Sequence, residues 1–435
     1  MRVRIFFLLL LFAIYAGNVS AQEKPLQWDL NACINYASQN NIQIQQSKIS
    51  LKQNAISTKQ AKAQLFPNLT ASINQNFTNS PYVPSNVYNG SYGISSSMTL
   101  FDGGKTLKNI EQQKLTEKAG NYAVLESEKD IQMSILQIYL QILYADESVK
   151  INQTTLDVSA YQMQRAQELL KAGSISKADL AQIESQYSSD KYQLTVSENN
   201  LKSYKLQLKQ LLELSLNEAM DIVIPEINST EILKPLPSLQ NIYETALKVM
   251  PQVGSSNLEV TIAGLETEKA KAGYLPKISL NASIGTSNIS DSNMNFSDQL
   301  QDRLNEIIGI SVSIPIFTNR ENKSAVEKAR LSEKTSQLNL LNTEKELLSE
   351  IESVYQDAIS AQSQYVAALE KERALKISYE LVEQQYTLGM KNTLDLLTEK
   401  NNLIAAQQSL LQTKYMSLMN AQLLNLYQNS ALEIK

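Results

Sequence analysis

Hydrophobic residues in the last part of the chain recur at heptad spacing, in alternating steps of four and three residues. The pattern is broken only at Glu372, and its members are Leu347, Ile351, Val354, Ala358, Ala361, Tyr365, Ala368, Leu375, Tyr379, Val382 and Tyr386. A sustained period of about 3.5 residues forms a seam for a supercoiled partner helix. The stretch Glu321 to Tyr427 has no proline and only one glycine, Gly389. We therefore predict a helix roughly 100 Å long over 321–388, a tip at Gly389 and a return helix from Leu394 to about Tyr427.

The same pattern occurs 216 residues earlier in the chain. At this offset Gly389 corresponds to Gly173, and Asp395 corresponds to Asp179. The hydrophobic seam recurs too. Only three of its positions differ in polarity from their counterparts in the later copy, namely Asn152, Leu156 and Ser159. A seam, a glycine and an aspartate that share one offset indicate an internal duplication of one supersecondary unit. The sequence therefore predicts two long helical hairpins, with tips at Gly173 and Gly389.

Two stretches of alternating apolar and polar residues precede the long helices. The first spans about 68–101 and the second about 277–317, and the second contains an insertion in its loop. Alternation with a period of two is typical of β-strands, so each stretch is predicted to be a hairpin. A helix is predicted ahead of each hairpin, over about 31–63 in the first copy. The predicted organisation is a first repeat at 22–215, a proline-containing linker at 216–238 and a second repeat at 239–435.

The N-terminus has the pattern of an export signal. Arg2 and Arg4 precede an apolar run that ends near Ala16, and Val19-Ser20-Ala21 follows as a small-residue cleavage site. This order is typical of a secretory signal peptide, predicted here over 1–21. The apolar run is too short to span a bilayer comfortably, so we expect cleavage rather than a retained anchor.

Composition excludes several classes of function. The chain has no histidine, which removes the most common general base and a frequent metal ligand. Gly-rich phosphate loops and nucleophile elbows do not occur, so an enzyme is not expected, nor is a cofactor or a metal site. The single cysteine, Cys33, cannot form an intrachain disulfide. A net charge of −5 argues against nucleic acid as a partner.

The predicted strands suit a membrane wall better than a soluble sheet packed on a core. They are about ten residues long, the chain is exported, and no helix alternates with them to cover them. Aromatic residues lie at both ends of the strands, namely Phe66, Phe101, Tyr274 and Phe317 at the helical end and Phe77, Tyr88 and Tyr92 at the loop end. Four strands cannot close a barrel in lipid, so several chains would have to share one. Two chains would give a filled barrel and three would leave room for a channel.

The order of elements and the two tips resemble the TolC-type outer-membrane efflux family. The tips that carry this resemblance are Ala172-Gly173-Ser174-Ile175-Ser176-Lys177-Ala178-Asp179-Leu180 and Tyr386-Thr387-Leu388-Gly389-Met390-Lys391-Asn392-Thr393-Leu394-Asp395-Leu396-Leu397. The resemblance implies a mainly α fold with membrane β-structure, in which long coiled-coil hairpins form an α-barrel. It also implies a homotrimer, with four transmembrane strands from each chain forming a shared 12-stranded β-barrel in outer-membrane lipid. The function it implies is a passive outer-membrane conduit of a tripartite efflux or type I secretion system in a Gram-negative bacterium.

The resemblance also assigns residues at the tips. Asp395 matches the first aspartate of a pore-constricting ring, and Thr398 stands where some relatives have a second. Asp179 matches an acidic latch residue and Lys391 its basic partner. Tyr386 matches a latch tyrosine, whereas Ala178 stands where the hydroxyl partner of that tyrosine is expected.

The tips are also where the resemblance implies docking of a partner. A periplasmic adaptor is expected to contact Gly173, Ser174, Gly389 and Met390, and an inner-membrane pump is expected to bind through that adaptor. A periplasmic coiled-coil scaffold or adhesin without a pore is the alternative. It explains the heptads and the export signal, but it leaves the two alternating hairpins and their aromatic ends without a role.

Overall fold

A computed structural model describes residues 27–79, 87–215, 218, 220–225, 227, 232–430 and 432. The predicted signal peptide at 1–21, the Pro81–Pro84 part of the first hairpin loop and parts of the linker at 216–238 lie outside these residues. Within the described ranges, no helix combines the length and the apolar character needed to cross a membrane.

The two halves of the chain have nearly the same order of elements. The first half contains α1 Leu30–Asn40, α2 Ile42–Ala63, β1 Asn68–Thr78, β2 Val87–Phe101, α3 Lys105–Lys171 and α4 Lys177–Leu211. The second half contains α5 Leu239–Val249, α6 Pro251–Ala272, β3 Lys277–Ile289, α7 Phe296–Asp302, β4 Asn305–Ser313, α8 Glu321–Thr387 and α9 Thr393–Tyr427. Both long helices have 67 residues and both return helices have 35. The short helix α7 lies in the inserted loop, and β4 ends at Ser313, before the predicted limit near 317.

The single helix predicted over 31–63 is wrong, because the helix is broken at Asn41. The backbone of Asn41 is extended, with φ −63° and ψ 131°, and its side chain accepts hydrogen bonds from the amides of Gln43 and Ile44. Its amide nitrogen Nδ2 donates to the carbonyl of Leu211 at 3.0 Å. Asparagine at this position therefore starts α2 and ties the break to the end of α4. The second half breaks at Met250, where Pro251 is the first residue of α6 and needs no helical hydrogen bond.

The largest hydrophobic core lies near the middle of the molecule, where the short helix α1 packs on the first long hairpin. Cys33 of α1, Ile135 and Leu143 of α3, and Leu208 of α4 are completely buried there. Tyr139 joins the same cluster and donates its hydroxyl to the carbonyl of Val223 at 2.6 Å. A second core forms between α5, α8 and the end of α9, around residues Ile242, Ala246, Leu347, Ile351, Leu424 and Tyr427.

The four strands form one antiparallel sheet in the order β1-β2-β3-β4. Paired residues of neighbouring strands point to the same face, and here Leu280 pairs with Ile310 whereas Asn281 pairs with Gly309. One face is therefore apolar and the other carries serine, asparagine, threonine and glycine, as the alternating sequence predicts. The apolar face is largely exposed in the single chain, and the outer sides of the described strands β1 and β4 have no strand partner.

The helices beside the sheet form a row in the order α2, α3, α6, α8, in which each helix contacts the next. The first helix of the row, α2, leads into β1, and the last, α8, follows β4. The helical row and the sheet therefore end on the same two sides of the chain.

Replacing Asn41 by alanine should lower the free energy of unfolding by about 1–3 kcal/mol, because a helix cap and the bond to Leu211 are both lost at a buried site. Chemical denaturation of the detergent-solubilised protein measures this change. Ser50→Ala is the control, since the exposed Ser50 hydroxyl bonds only to the Gln46 carbonyl of its own helix. Equal stability of the two variants would contradict the role given to Asn41.

Candidate functional site

Each long helix ends in a glycine with a left-handed backbone. Gly173 has φ 72° and Gly389 has φ 73°. The amide of Ser174 donates to the Leu169 carbonyl at 2.9 Å, and the amide of Met390 donates to the Gln385 carbonyl at 2.9 Å. This is the hydrogen-bond pattern of a Schellman motif, which satisfies carbonyls at the helix end. A Cβ at either glycine would meet no atom within 4 Å, so the backbone conformation, not lack of space, favours glycine.

The two return helices begin with different caps, although the tips are equivalent in the duplication. Ser176 and Asp179 form a reciprocal capping box at the start of α4. The amide of Ser176 donates to Asp179 Oδ2 at 3.0 Å, and the hydroxyl of Ser176 donates to the same oxygen at 2.7 Å. These hydrogen bonds, the one from the Ser176 side chain foremost, lower the pKa of Asp179 below its usual value.

The start of α9 is capped by Asn392 instead. The amide of Asp395 donates to Asn392 Oδ1 at 2.8 Å. The carboxylate of Asp395 pairs with Lys391 at 3.6 Å, and both side chains are largely exposed. An exposed ion pair of this kind contributes only about 0–1 kcal/mol, so it leaves both groups available to other partners.

The single chain does not bring the predicted latch pair together. Lys391 is paired with Asp395 in its own tip, whereas Asp179 is bonded to Ser176 and also accepts a hydrogen bond from Thr393 at the start of α9. The hydroxyl of Tyr386 is shielded from solvent, with no hydrogen-bond partner among the described residues. Thr398 is exposed one helical turn after Asp395, on the same side of α9. The proposed docking residues at the two tips, Gly173, Ser174, Gly389 and Met390, are all exposed.

Sequence reasoning missed a series of polar contacts that joins the two hairpins above the tips. Arg165 of α3 donates to the hydroxyl of Thr387 in α8 at 3.2 Å. Gln162 of α3 donates to the Tyr379 hydroxyl at 3.0 Å, and burial foremost raises the pKa of Tyr379. These bonds cross between the hairpins, so the helices that form the tips are held to each other by polar groups along their length.

The most buried of these contacts is a cluster of Ser159 on α3, Asp190 on α4 and Lys400 on α9. Lys400 Nζ lies 2.9 Å from Asp190 Oδ2, and the Ser159 hydroxyl contacts both groups. Gln186 donates to the other carboxylate oxygen at 2.8 Å. Burial lowers the pKa of Lys400, and the neighbouring Asp190 acts in the opposite direction. The one sequence signal was Ser159, a polar residue in the hydrophobic seam, but its partners are distant in sequence.

The outer sides of the helical row show a different kind of site. Leu265 of α6 is 8% exposed, whereas Ile56, its counterpart in α2, is 63% exposed. Leu143 of α3 is completely buried, whereas Ile359, its counterpart in α8, is 42% exposed. These apolar residues of the inner helices α3 and α6 are thus buried, whereas their counterparts on the end helices α2 and α8 are exposed. Exposed apolar stripes of this kind mark surfaces that another molecule covers.

Comparison with known proteins gives consistent matches. A family model described as outer membrane efflux protein matches residues 33–213 and 242–428, one segment in each half. The chain is similar to the outer membrane efflux protein BepC of Brucella suis biovar 1 (strain 1330), with 21% identity over 403 residues that cover 92% of this chain and 85% of BepC. It is similar to the outer membrane protein TolC of Escherichia coli (strain K12), with 23% identity over 360 residues that cover 78% of this chain and 71% of TolC. Its fold is similar to a crystal structure of CusC, with a TM-score of 0.82, 18% identity and 95% of both chains covered.

The different caps predict different responses of the two tips. Asp179→Ala should speed hydrogen exchange of the amides at 177–180, because the capping box loses its acceptor. Asp395→Ala should leave exchange at 393–396 nearly unchanged, because Asn392 still caps α9. Hydrogen exchange followed by mass spectrometry measures both. Similar acceleration at both tips would contradict the assignment of the caps.

Proposed function

Because the chain belongs to the outer membrane efflux protein family, we propose that it is the outer-membrane channel of a tripartite efflux or type I secretion system, a passive conduit from the periplasm to the exterior. The resemblance seen in the tips and the mainly helical, TolC-like fold class are confirmed. The family places the chain in the outer membrane of a Gram-negative bacterium. The observation that carries the proposal is that sheet and helical row are both left open on the same two sides.

The internal duplication predicts which surfaces of neighbouring chains contact each other at these open sides. Helix α8 starts 216 residues after α3, and α6 starts 209 residues after α2. Within the chain, α3 of the first half contacts α6 of the second. The equivalent contact joins α8 of one chain to α2 of the next. Such a head-to-tail contact generates a closed ring when the rotation closes. It would cover Ile56, whose counterpart Leu265 is buried.

The same relation predicts how strands pair between chains. Ser96 of β2 pairs with Ala282 of β3 within the chain. The equivalent residues are Val312 of β4 and Ile73 of β1 in the next chain. Both belong to the apolar face, so this register keeps one side of the joined sheet apolar and the other polar. Continuous pairing leaves no open edge in lipid, where unpaired backbone groups are costly.

A ring of three copies fits these constraints and the family. Each chain supplies a four-stranded sheet, so three copies would form a barrel of twelve strands. Eight strands would be filled by side chains, whereas larger barrels enclose a channel. The face rich in serine, asparagine and glycine would line this channel, and the apolar face would contact lipid.

The tips are the proposed gate of this conduit. Symmetric copies would gather Asp395 and Thr398 into a ring around the axis, where carboxylates repel one another and attract cations. Asp179 and Lys391 would act as a latch between neighbouring hairpins, with Tyr386 beside them, although Ala178 stands where the hydroxyl partner of this tyrosine is expected. Because each such pair is exposed and weak, the gate is one that a partner can open.

The proposed partner that binds the tips is a periplasmic adaptor. An inner-membrane pump would bind the channel through this adaptor. Gly173, Ser174, Gly389 and Met390 are exposed at the far end of the long helices from the sheet, where an adaptor can reach them. The proposed conduit is passive, so the pump would choose the cargo. A scaffold without a pore would be released from membranes by carbonate washing, whereas this protein should require detergent.

Cysteine cross-linking tests the proposed ring. Ile73→Cys combined with Val312→Cys should give covalent dimers and trimers on non-reducing gels after oxidation, because the two positions would be directly opposite across the junction. Ile73→Cys with Ser311→Cys is the matched control, since its two side chains would lie on opposite faces. Only monomers from the first pair, or equal cross-linking by both pairs, would sink the proposed register.

Single-channel conductance in planar bilayers tests the gate. Lys391→Gln and Asp179→Asn should each raise the conductance, because either removes one partner of the proposed latch. The unfolding free energy of Lys391→Gln should change by no more than about 1 kcal/mol. Lys371→Gln, an exposed lysine of α8 away from the tip, is the control. Unchanged conductance in both tip variants would exclude the latch.

A further inference from the structure

The cluster of Ser159, Asp190 and Lys400 lies above the gate and is absent from the pattern that the resemblance assigns. Ser159, Asp190 and Lys400 are 1%, 5% and 3% exposed, so the cluster is far more buried than the proposed latch residues Asp179 and Lys391. Lys400 is seven residues into α9, or about 10 Å along the helix from its start at Thr393. A buried charge cluster therefore joins the two hairpins a short distance above the tip residues.

The contact is between hairpins, not within one. Asp190 and Ser159 belong to the first hairpin, α3 and α4, and Lys400 belongs to the second, α8 and α9. The side-chain Nδ2 of Asn401, the residue after Lys400, donates to Gln186 Oε1 at 3.3 Å, again from α9 to α4. Any movement that separates α9 from α4 at this level must therefore break a buried ion pair.

The duplication shows that hairpin packing does not require this cluster. The counterparts of Ser159 and Asp190 in the second half are Leu375 and Ala406, and the counterpart of Lys400 in the first half is Glu184. At the proposed junction between chains, Ala406 would therefore face Glu184 of the next chain, and no ion pair can form. At this level a buried ion pair joins the two hairpins inside one chain, and no equivalent pair would join hairpins of neighbouring chains.

The energetics of buried pairs explains what the cluster can do. Burying two charges is costly, so an ion pair adds little net stability compared with apolar packing. Removing one partner is strongly unfavourable, because a charge is left unpaired in a dry site. The pair therefore favours one relative arrangement of α4 and α9 and penalises all others. The ion pair therefore determines the relative position of α4 and α9 more than it contributes to the free energy of folding.

We propose that Ser159, Asp190 and Lys400 form a lock that holds the second hairpin against the first, and that the two tips of one chain separate only when this lock opens. The three residues are positioning residues for the gate, and they act through the helices that carry Asp179 and Asp395. The inference rests on the proposed channel function, because separation of the tips would open that channel. The junctions between chains, which have no such lock, are then the easier place for the first opening movement.

Distances between spin labels at the two tips test the lock directly. Labels on Ser174→Cys and Met390→Cys of one chain, diluted with unlabelled chains, report the separation of its two hairpins by pulsed electron resonance. Asp190→Asn and Lys400→Met should each raise the share of a longer-distance population about tenfold or more, because one charge is left unpaired in the locked arrangement. The exchanged pair, Asp190→Lys with Lys400→Asp, should return the distances toward those of the unmodified chain.

A matched control separates a lock from general loosening. Lys414 of α9 pairs with Glu147 of α3 at 2.7 Å, also between the hairpins, but both groups are partly exposed and farther from the tips. Lys414→Gln should leave the tip distances unchanged. Unchanged distances in Asp190→Asn and Lys400→Met, or an equal change in Lys414→Gln, would overturn the proposal.

Two further measurements keep the outcome decisive. If Asp190→Asn fails to fold, Ser159→Ala keeps the ion pair and should still give a smaller shift of the same sign; no shift there overturns the lock. Conductance in planar bilayers separates the lock from the channel function. Longer tip distances in the variants, together with no conductance of the unmodified protein, would support the lock and contradict the channel. Unchanged tip distances in the variants, together with conductance of the unmodified protein, would contradict the lock alone.

Discussion

Unpaired backbone groups at the two outer strands are the constraint on which the architecture depends. The sheet has an apolar face suited to lipid, yet the N–H and C=O groups on the free sides of β1 and β4 cannot be satisfied there by water. A single chain is therefore incomplete in a membrane. The helical row ends on the same two sides and exposes Ile56, so one contact between neighbouring chains would satisfy the strands and cover the helices together.

Because the chain is internally duplicated, the contact that a neighbouring chain would make can be predicted from a contact inside the chain. The contact between α3 and α6 inside the chain is a template for the contact between chains, because its counterparts α8 and α2 are the free ends of the row. The strand register follows in the same way from β2 and β3. A ring built from repeated units needs only one kind of junction, which the chain already contains once. In the proposed ring, the sheet in lipid and the helices below it would share a single axis.

Polar groups along the hairpins divide into two kinds with different physical consequences. At the tips, Lys391 and Asp395 are exposed and their attraction is weakened by water, so they can exchange partners at little cost. Above them, Asp190 and Lys400 are buried and cannot be separated without leaving a charge unpaired. Weak contacts at the end and the proposed lock above them would confine motion to the last turns of the hairpins. An adaptor bound at the tips would act on that part.

The sequence alone determined the long helices, their glycine tips, the duplication and the two-faced strands. These features depend on spacing: a 3.5-residue period, a glycine where φ is positive, and an alternation of two. It did not reveal the break at Asn41, because the side chain of this residue, besides capping α2, bonds to Leu211, which is 170 positions away in sequence. Nor did it reveal the partners of Ser159, which come from two other helices. Strand order and the burial of Lys400 were decided only by the tertiary structure, because each depends on which distant segments the fold places side by side.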